Sequence, residues 1–106
     1  MAVVSISALI INRRLTGTGR LEGLISERIT CQSGLSLSVQ ANNYAYCEPR
    51  NDSGPYSHVE VGYPSRAIEA LLPYAENPAV PTETVYPYVP VGIVEAILLE
   101  NGWIVS

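Results

Sequence analysis

After Ser33-Gly34 the chain alternates without a break. Leu35, Leu37, Val39 and Ala41 fall on one side, and Ser36, Ser38 and Gln40 on the other. Side chains of a strand point to opposite faces in turn, so residues 35–41 are predicted as a strand with one face in the core. Ser33-Gly34 is a two-residue turn of the kind that closes hairpins, which makes residues 28–32 the partner strand. The alternation returns in residues 58–63, where Val59 and Val61 face one way and His58, Glu60 and Gly62 the other. Residues 84–89 (Thr-Val-Tyr-Pro-Tyr-Val) are aromatic and β-branched, with Tyr86 and Tyr88 expected on one face. Pro87 has no N–H for a ladder, so this strand is predicted at a sheet edge or a bulge.

Helical spacing is confined to short stretches. Pro90 suits a helix start, Val94, Ile97 and Leu98 form an apolar stripe, and Asn101-Gly102 supplies a left-handed C-terminal cap. Ser65 is predicted to cap a second short helix that buries Ala67, Ile68, Leu71 and Leu72 and is limited by Pro73. Residues 74–83 then read as a proline-punctuated loop. Leu21, Leu24 and Ile25 give one helical turn. Residues 3–11 are rich in β-branched side chains and are read as a strand; helix is the alternative, because Val4, Ala8 and Ile11 share a helical face. The apolar tail, residues 103–105, suits a last strand or an oligomer contact. These elements predict a single α+β ligand-binding domain over residues 1–106, a small antiparallel sheet with two to three short helices.

Composition narrows the function classes. A chain of 106 residues with 47% apolar and 15% charged side chains is one folded domain and not a disordered one. Lysine is absent, and Arg13, Arg14, Arg20, Arg28, Arg50 and Arg66 carry all the positive charge. Through Arg66 these six arginines face five acids, whereas the last forty residues hold five glutamates and no base. That distribution argues against a broad DNA or RNA footprint. It leaves room for an anionic small molecule held by one or two arginines, or for a basic protein partner on the acidic C-terminal part. Cys31 and Cys47 match neither a metal pattern nor a disulfide framework and are expected as reduced thiols. The N-terminal apolar run precedes its arginines, lacks an A-x-A site and is too short to span a bilayer as a helix. A cytoplasmic protein with no membrane contact is expected.

Chemistry-bearing side chains concentrate in residues 40–63. This stretch holds four of the seven tyrosines, the only histidine, Cys47, Asn42-Asn43 and Arg50 behind Pro49. Tyrosine offers broad contact area with few rotors to freeze, and arginine a planar fork for phosphate or carboxylate. The candidate ligand-binding residues are Arg50, Asn42, Asn43, Tyr44, Tyr46 and Tyr63, joined by Arg66, Tyr86 and Tyr88 from outside the stretch. His58 and Glu60 share a strand face, as a general base and its orienting carboxylate would require. No serine or cysteine is tied to them as a nucleophile, so they read as polar residues of an outer face. Thr-Gly-Thr-Gly-Arg at residues 16–20 lacks the order of a phosphate loop and reads as a turn. No catalytic residue, metal or cofactor is expected.

Four segments in succession carry a family resemblance. They are S-V-Q-A from Ser38 to Ala41, Y-x-Y-C-x-P-R from Tyr44 to Arg50, V-E-V-G-Y-P-S from Val59 to Ser65, and P-T-E-T-V-Y-P-Y-V-P from Pro81 to Pro90, followed by a V-E that ends at Glu95. Together they resemble a family of small phage and prophage proteins, the first described family of phage anti-Thoeris sponges. The resemblance implies an α+β homo-oligomer without catalysis, at work in the cytoplasm of an infected or lysogenic bacterium. It implies capture of the cyclic ADP-ribose signal made by host Thoeris defence; some relatives also hold cyclic oligonucleotides. The chain departs from that pattern in its last helix, where residues 91–100 contain no arginine to present to phosphates. Arg50, with Arg66, would have to serve.

A cyclic ADP-ribose isomer offers an adenine to stack on tyrosine, riboses and a base edge for Asn42 and Asn43, and a pyrophosphate for Arg50. The alternative from another class is a protein-binding inhibitor of a bacterial defence complex, of anti-CRISPR type, in which the acidic C-terminal part covers a basic surface.

Overall fold

The structure, a computed structural model, describes residues 5–17 and 19–106. Ser5 accepts a hydrogen bond from the Ala8 N–H at 3.0 Å and caps helix α1, Ile6–Asn12. The strand expected over residues 3–11 is therefore corrected to a helix over the part described; Val3 and Val4 lie outside the described residues. Ile6, Ser7 and Ile10 are buried while Ala8 is exposed, a spacing that one helical face produces and the alternation of a strand does not. Ser7 on the same helix is buried because its Oγ accepts the Tyr56 N–H at 2.8 Å. The helical turn expected near Leu21 is a single 3-10 turn, Gly19–Leu21, with Leu24 and Ile25 in the bends that follow.

Strands β1 (Ile29–Thr30), β2 (Ser36–Gln40), β3 (His58–Gly62) and β4 (Val85–Pro90) form one antiparallel sheet in chain order. The hairpin is present as expected, with Ile29 opposite Leu37 and Thr30 opposite Ser36. Its turn is one residue longer than predicted. Cys31 N–H bonds the Leu35 carbonyl and Gly34 N–H bonds the Cys31 carbonyl, so Gln32, Ser33 and Gly34 form the loop. Gly34 takes the positive-φ position at +96°, as three-residue hairpins require. Leu35, Leu37, Val39 and Ala41 are all buried, as are Val59 and Val61. Ile6, Ile10, Leu71, Val94, Ile97 and Leu98 complete the same core.

The two ends of the sheet are finished differently. Along β1 the C-terminal tail is added as a strand-like cover: Val105 N–H bonds the Thr30 carbonyl, Gln32 N–H bonds the Trp103 carbonyl, and Ile104 bridges Cys31. β4 lies at the other edge and carries a bulge, where Pro87 causes no loss. Between the pairs Val61–Tyr86 and Val59–Val89, β4 holds one residue more than β3. The extra residue breaks the alternation, so the expectation that Tyr86 and Tyr88 share a face is overturned. Tyr86 is wholly buried, while Tyr88 is 43% exposed with φ at +54°.

Helix α2, Val91–Glu100, starts after Pro90 and ends at Asn101 with Gly102 at φ +82°, in line with the sequence. The helix expected after Ser65 is a shorter 3-10 helix, Glu69–Tyr74, with Ile68 before it in extended conformation. Ser65 does not cap it, because its Oγ accepts the Ser36 N–H at 2.9 Å and its own N–H bonds the Ser36 carbonyl. Only Leu71 of the expected apolar face is fully buried; Ile68 is half-buried, Ala67 and Leu72 are exposed, and Pro73 lies within the helix.

Two glycines give opposite expectations. A Cβ at Gly34 or at Gly92 would meet nothing within 4 Å, so only backbone preference decides. Gly34→Ala should lower stability by about 1–2 kcal/mol because of its positive φ. Gly92→Ala, inside α2, should raise it by about 0.5–1 kcal/mol. Urea titration of the two variants should show midpoints moving in opposite directions.

Candidate functional site

Residues 41–57, between β2 and β3, form a loop held by side chains instead of a ladder. Asn42 is buried, its Oδ1 accepting the N–H groups of Tyr44 and Ala45 at 2.8 Å and its Nδ2 donating to the Leu24 carbonyl at 3.0 Å. Arg14, just beyond α1, donates from Nη1 to the Asp52 carbonyl at 2.7 Å and from Nη2 to the Ala41 carbonyl and the Tyr56 hydroxyl. The Tyr56 hydroxyl in turn donates to the Asn51 carbonyl at 2.6 Å, and Asp52 Oδ1 accepts the Asn43 N–H at 2.7 Å. Glu48 pairs with His58 at the start of β3. The bulge supplies the last tie: Tyr88 N–H bonds the Tyr46 carbonyl at 3.1 Å.

This framework brings Tyr44, Tyr46, Arg50 and Tyr88 to one place. The rings of Tyr46 and Tyr88 lie 6.0 Å apart at 52°, within the range where tilted aromatic pairs attract. The Arg50 guanidinium sits 5.5 Å over the Tyr46 ring, and its Nη2 donates to the Tyr44 carbonyl at 3.1 Å. A guanidinium has five N–H donors in a planar fork, so this single bond orients Arg50 and leaves most of the fork for an anion. Arg50 and Tyr88 line an open groove of about 470 Å³ together with Cys47, Glu48 and Pro49.

The other candidates are placed elsewhere. Tyr86 is in the core and its hydroxyl donates to the Pro81 carbonyl. The Asn42 amide is engaged at both its oxygen and its nitrogen within the protein, and Asn43 is exposed beside it. Tyr63 is 52% exposed just past β3, where Arg28 holds its carbonyl at 2.6 Å. Arg66 bonds Asn101 at the end of α2. Neither Tyr63 nor Arg66 lines the groove.

Glu60 is the residue that the sequence reading passed over as a ligand contact. It lies on the outer face of β3, next to Gln40 and opposite the bulge, and borders a second cavity of about 170 Å³. Burial pushes its carboxyl above the ordinary glutamate value of 4.5; Glu76 adds to the rise, and the Tyr46 backbone amide and Arg50 oppose it. Its outer-face position and the bulge-prone Pro87 opposite were the available signals. His58 Nδ1 lies 2.8 Å from the exposed Ser57 hydroxyl, so the expectation that no serine is tied to the histidine is corrected. Cys47 is buried, its thiol donates to the Asn42 carbonyl, and burial raises its pKa, so it is a poor nucleophile. Cys31 and Cys47 are both free thiols.

No family model matches the chain, and no curated protein or solved structure matches it. Among the described residues no helix is long and apolar enough to cross a membrane.

The Glu60 shift has a sign that can be measured. Its folded pKa is raised, so above the unfolded value the folded state holds the proton more tightly. Its contribution to stability therefore falls as pH rises from about 4.5 through the folded value. Chemical denaturation across that interval should show a downward slope that is reduced in Glu60→Gln; an unchanged slope would place the titration elsewhere.

Proposed function

We propose that this protein is a non-catalytic sponge that binds a nucleotide-type anion and returns it unchanged, a phage counter-defence protein acting on a cyclic ADP-ribose signal of the glycocyclic type. The observation that carries the binding role is the Arg50 guanidinium laid over Tyr46 beside Tyr88, at the mouth of an open groove. A flat ring finds tyrosine faces there, and a phosphate finds a preoriented fork. The buried Cys47 thiol, its pKa raised by burial, is not an activated nucleophile, and the Ser57–His58 pair lies outside the residues that line the groove, which favours holding over cutting. The phage family, and with it the Thoeris signal, comes from the sequence resemblance of the loop and strand motifs.

Magnitudes favour more than one subunit. A base stacked on tyrosine contributes about 1–3 kcal/mol, and each charged hydrogen bond about 1.5–3 kcal/mol. Sequestration at nanomolar affinity needs about 12 kcal/mol. One stack and one bidentate arginine fall short of that, so a second copy of the chain closing over the groove is part of the proposal. Tyr44, at 62% exposure, and Tyr46, at 42%, are apolar surface for such a lid.

Incubated with 1″-2′ or 1″-3′ glycocyclic ADP-ribose, the protein should deplete free ligand to a stoichiometric endpoint, and heating should release the same compound. Arg50→Ala should abolish capture with the fold intact by circular dichroism. A cleaved product would make the protein an enzyme. No depletion, with a host defence protein co-purifying, would favour the protein-binding inhibitor.

A further inference from the structure

The second cavity lies on the outer face of the sheet, between β2, β3 and the residues that follow the Gly19–Leu21 turn. Its floor is amide-rich by sequence yet offers almost no free amide. Gln40 donates to the Ser26 carbonyl and the Ser38 hydroxyl, at 2.8 and 2.9 Å, and accepts the Ser26 N–H at 2.8 Å. Asn42 is likewise engaged at both ends of its amide. The walls that remain are the apolar side chains of Leu21, Ile25 and Ala45 and the exposed ring of Tyr44. Into this apolar surround projects one carboxyl, that of Glu60, opposed only by the Tyr46 backbone amide and by the charge of Arg50 beyond it.

A slot with apolar walls and a single acceptor fits a flat ring that carries a hydrogen-bond donor on its edge. Burying such a donor is costly unless it is paired, so the carboxyl would sort rings by their edge and not by their size. Tyr44 joins the two cavities: its ring borders the slot while its carbonyl holds the Arg50 guanidinium. Arg50 is near enough for its charge to be felt at the Glu60 carboxyl, which makes the two available to opposite ends of one molecule.

We propose that this second cavity is the slot for an amino-bearing heteroaromatic ring, read by the Glu60 carboxyl at its exocyclic amine, while Arg50 holds the anionic group attached to that ring. The assignment rests on the Arg50 groove being an anion site and names the chemistry of the other end of the ligand. Glu60 is then the residue that sets specificity.

The test uses adenosine 5′-monophosphate and its counterpart with hydrogen in place of the 6-amino group, titrated into the protein and followed by NMR. The amino form should shift the methyl signals of Leu21 and Ile25 and bind about tenfold tighter than the 6-hydrogen form, the discrimination expected of one charged hydrogen bond. Glu60→Ala should bring the two affinities together. Glu60→Gln, which keeps an uncharged acceptor and the Tyr46 contact, should fall between them with an unchanged melting temperature. Equal affinities in the parent protein, or an undiminished ratio in Glu60→Ala, would overturn the slot. Shifts confined to the Tyr46 and Tyr88 rings would also overturn it, leaving the anion groove standing. No shift anywhere at millimolar nucleotide would remove the groove reading and the slot with it.

Discussion

β4 carries one residue more than β3 between two consecutive core pairs, and the outer face of the sheet is organised around that mismatch. A bulge lets two residues oppose one and turns the strand locally. Tyr86 on one side of it fills the core; Tyr88 on the other points out and accepts a positive φ, which costs a non-glycine residue about 1–2 kcal/mol. The freed Tyr88 N–H bonds the Tyr46 carbonyl and draws the loop over the sheet. Glu60, opposite the bulge, is covered by the same movement. The exposed ring pair, the position of Arg50 and the half-buried carboxyl therefore have one structural origin.

Arg14 performs the complementary task at the loop's far side. Its guanidinium joins Ala41, Asp52 and Tyr56, which lie at the two ends of the loop, so the segment that carries Tyr44 to Arg50 is clamped as a closed unit. Its Nε is buried without a partner. A part-buried guanidinium with one N–H unpaired among the described residues is costly to desolvate, and the charge-assisted bonds to loop carbonyls offset that cost. For the proposed binding role the consequence is preorganisation: a loop already fixed would lose less entropy on binding. The same residue, seen only as part of an Arg-Arg pair before a glycine-rich turn, gives no hint of this role.

That contrast marks what was legible in the chain. Strict period-two segments such as 35–41 and 58–63 declared their strands, because burial on one face leaves a register no alternative. Proline and glycine declared α2, the edge position of β4 and the presence of a bulge. The failures have separate causes: a long-range side-chain bond, a local cap and a bulge. Ser65 looked like a helix cap but is taken by Ser36; Ser5 was the true cap, of a segment whose β-branched residues suggested a strand. Alternation carried through Pro87 would put Tyr86 and Tyr88 on one face, and the bulge breaks it. Within the site, Tyr46, Arg50 and Tyr88 converge and Tyr44 joins them through its carbonyl, whereas Asn42 is structural and Tyr63 and Arg66 stand apart. Glu60 is legible in the sequence only as an outer-face neighbour of His58, because the folded bulge alone gives it a half-buried setting.

The charges of the site constrain the ligand more than its shape does. Arg50 is a cation in a protein of net charge −4, and Glu60 and Glu76 lie close enough to be felt in the same region. An isolated phosphate would meet a guanidinium whose field is partly cancelled, and an isolated amine would meet a carboxyl with an arginine behind it. Neither gains much alone. A molecule with an anionic group at one end and a hydrogen-bond donor at the other meets each centre with the matching sign, and its ring covers the tyrosine surface between them. Electrostatic complementarity of this divided kind contributes to specificity more than to raw affinity. Under the proposed binding role, such a division would discriminate against free phosphate and leave tight binding to ring burial and to closure by a second copy.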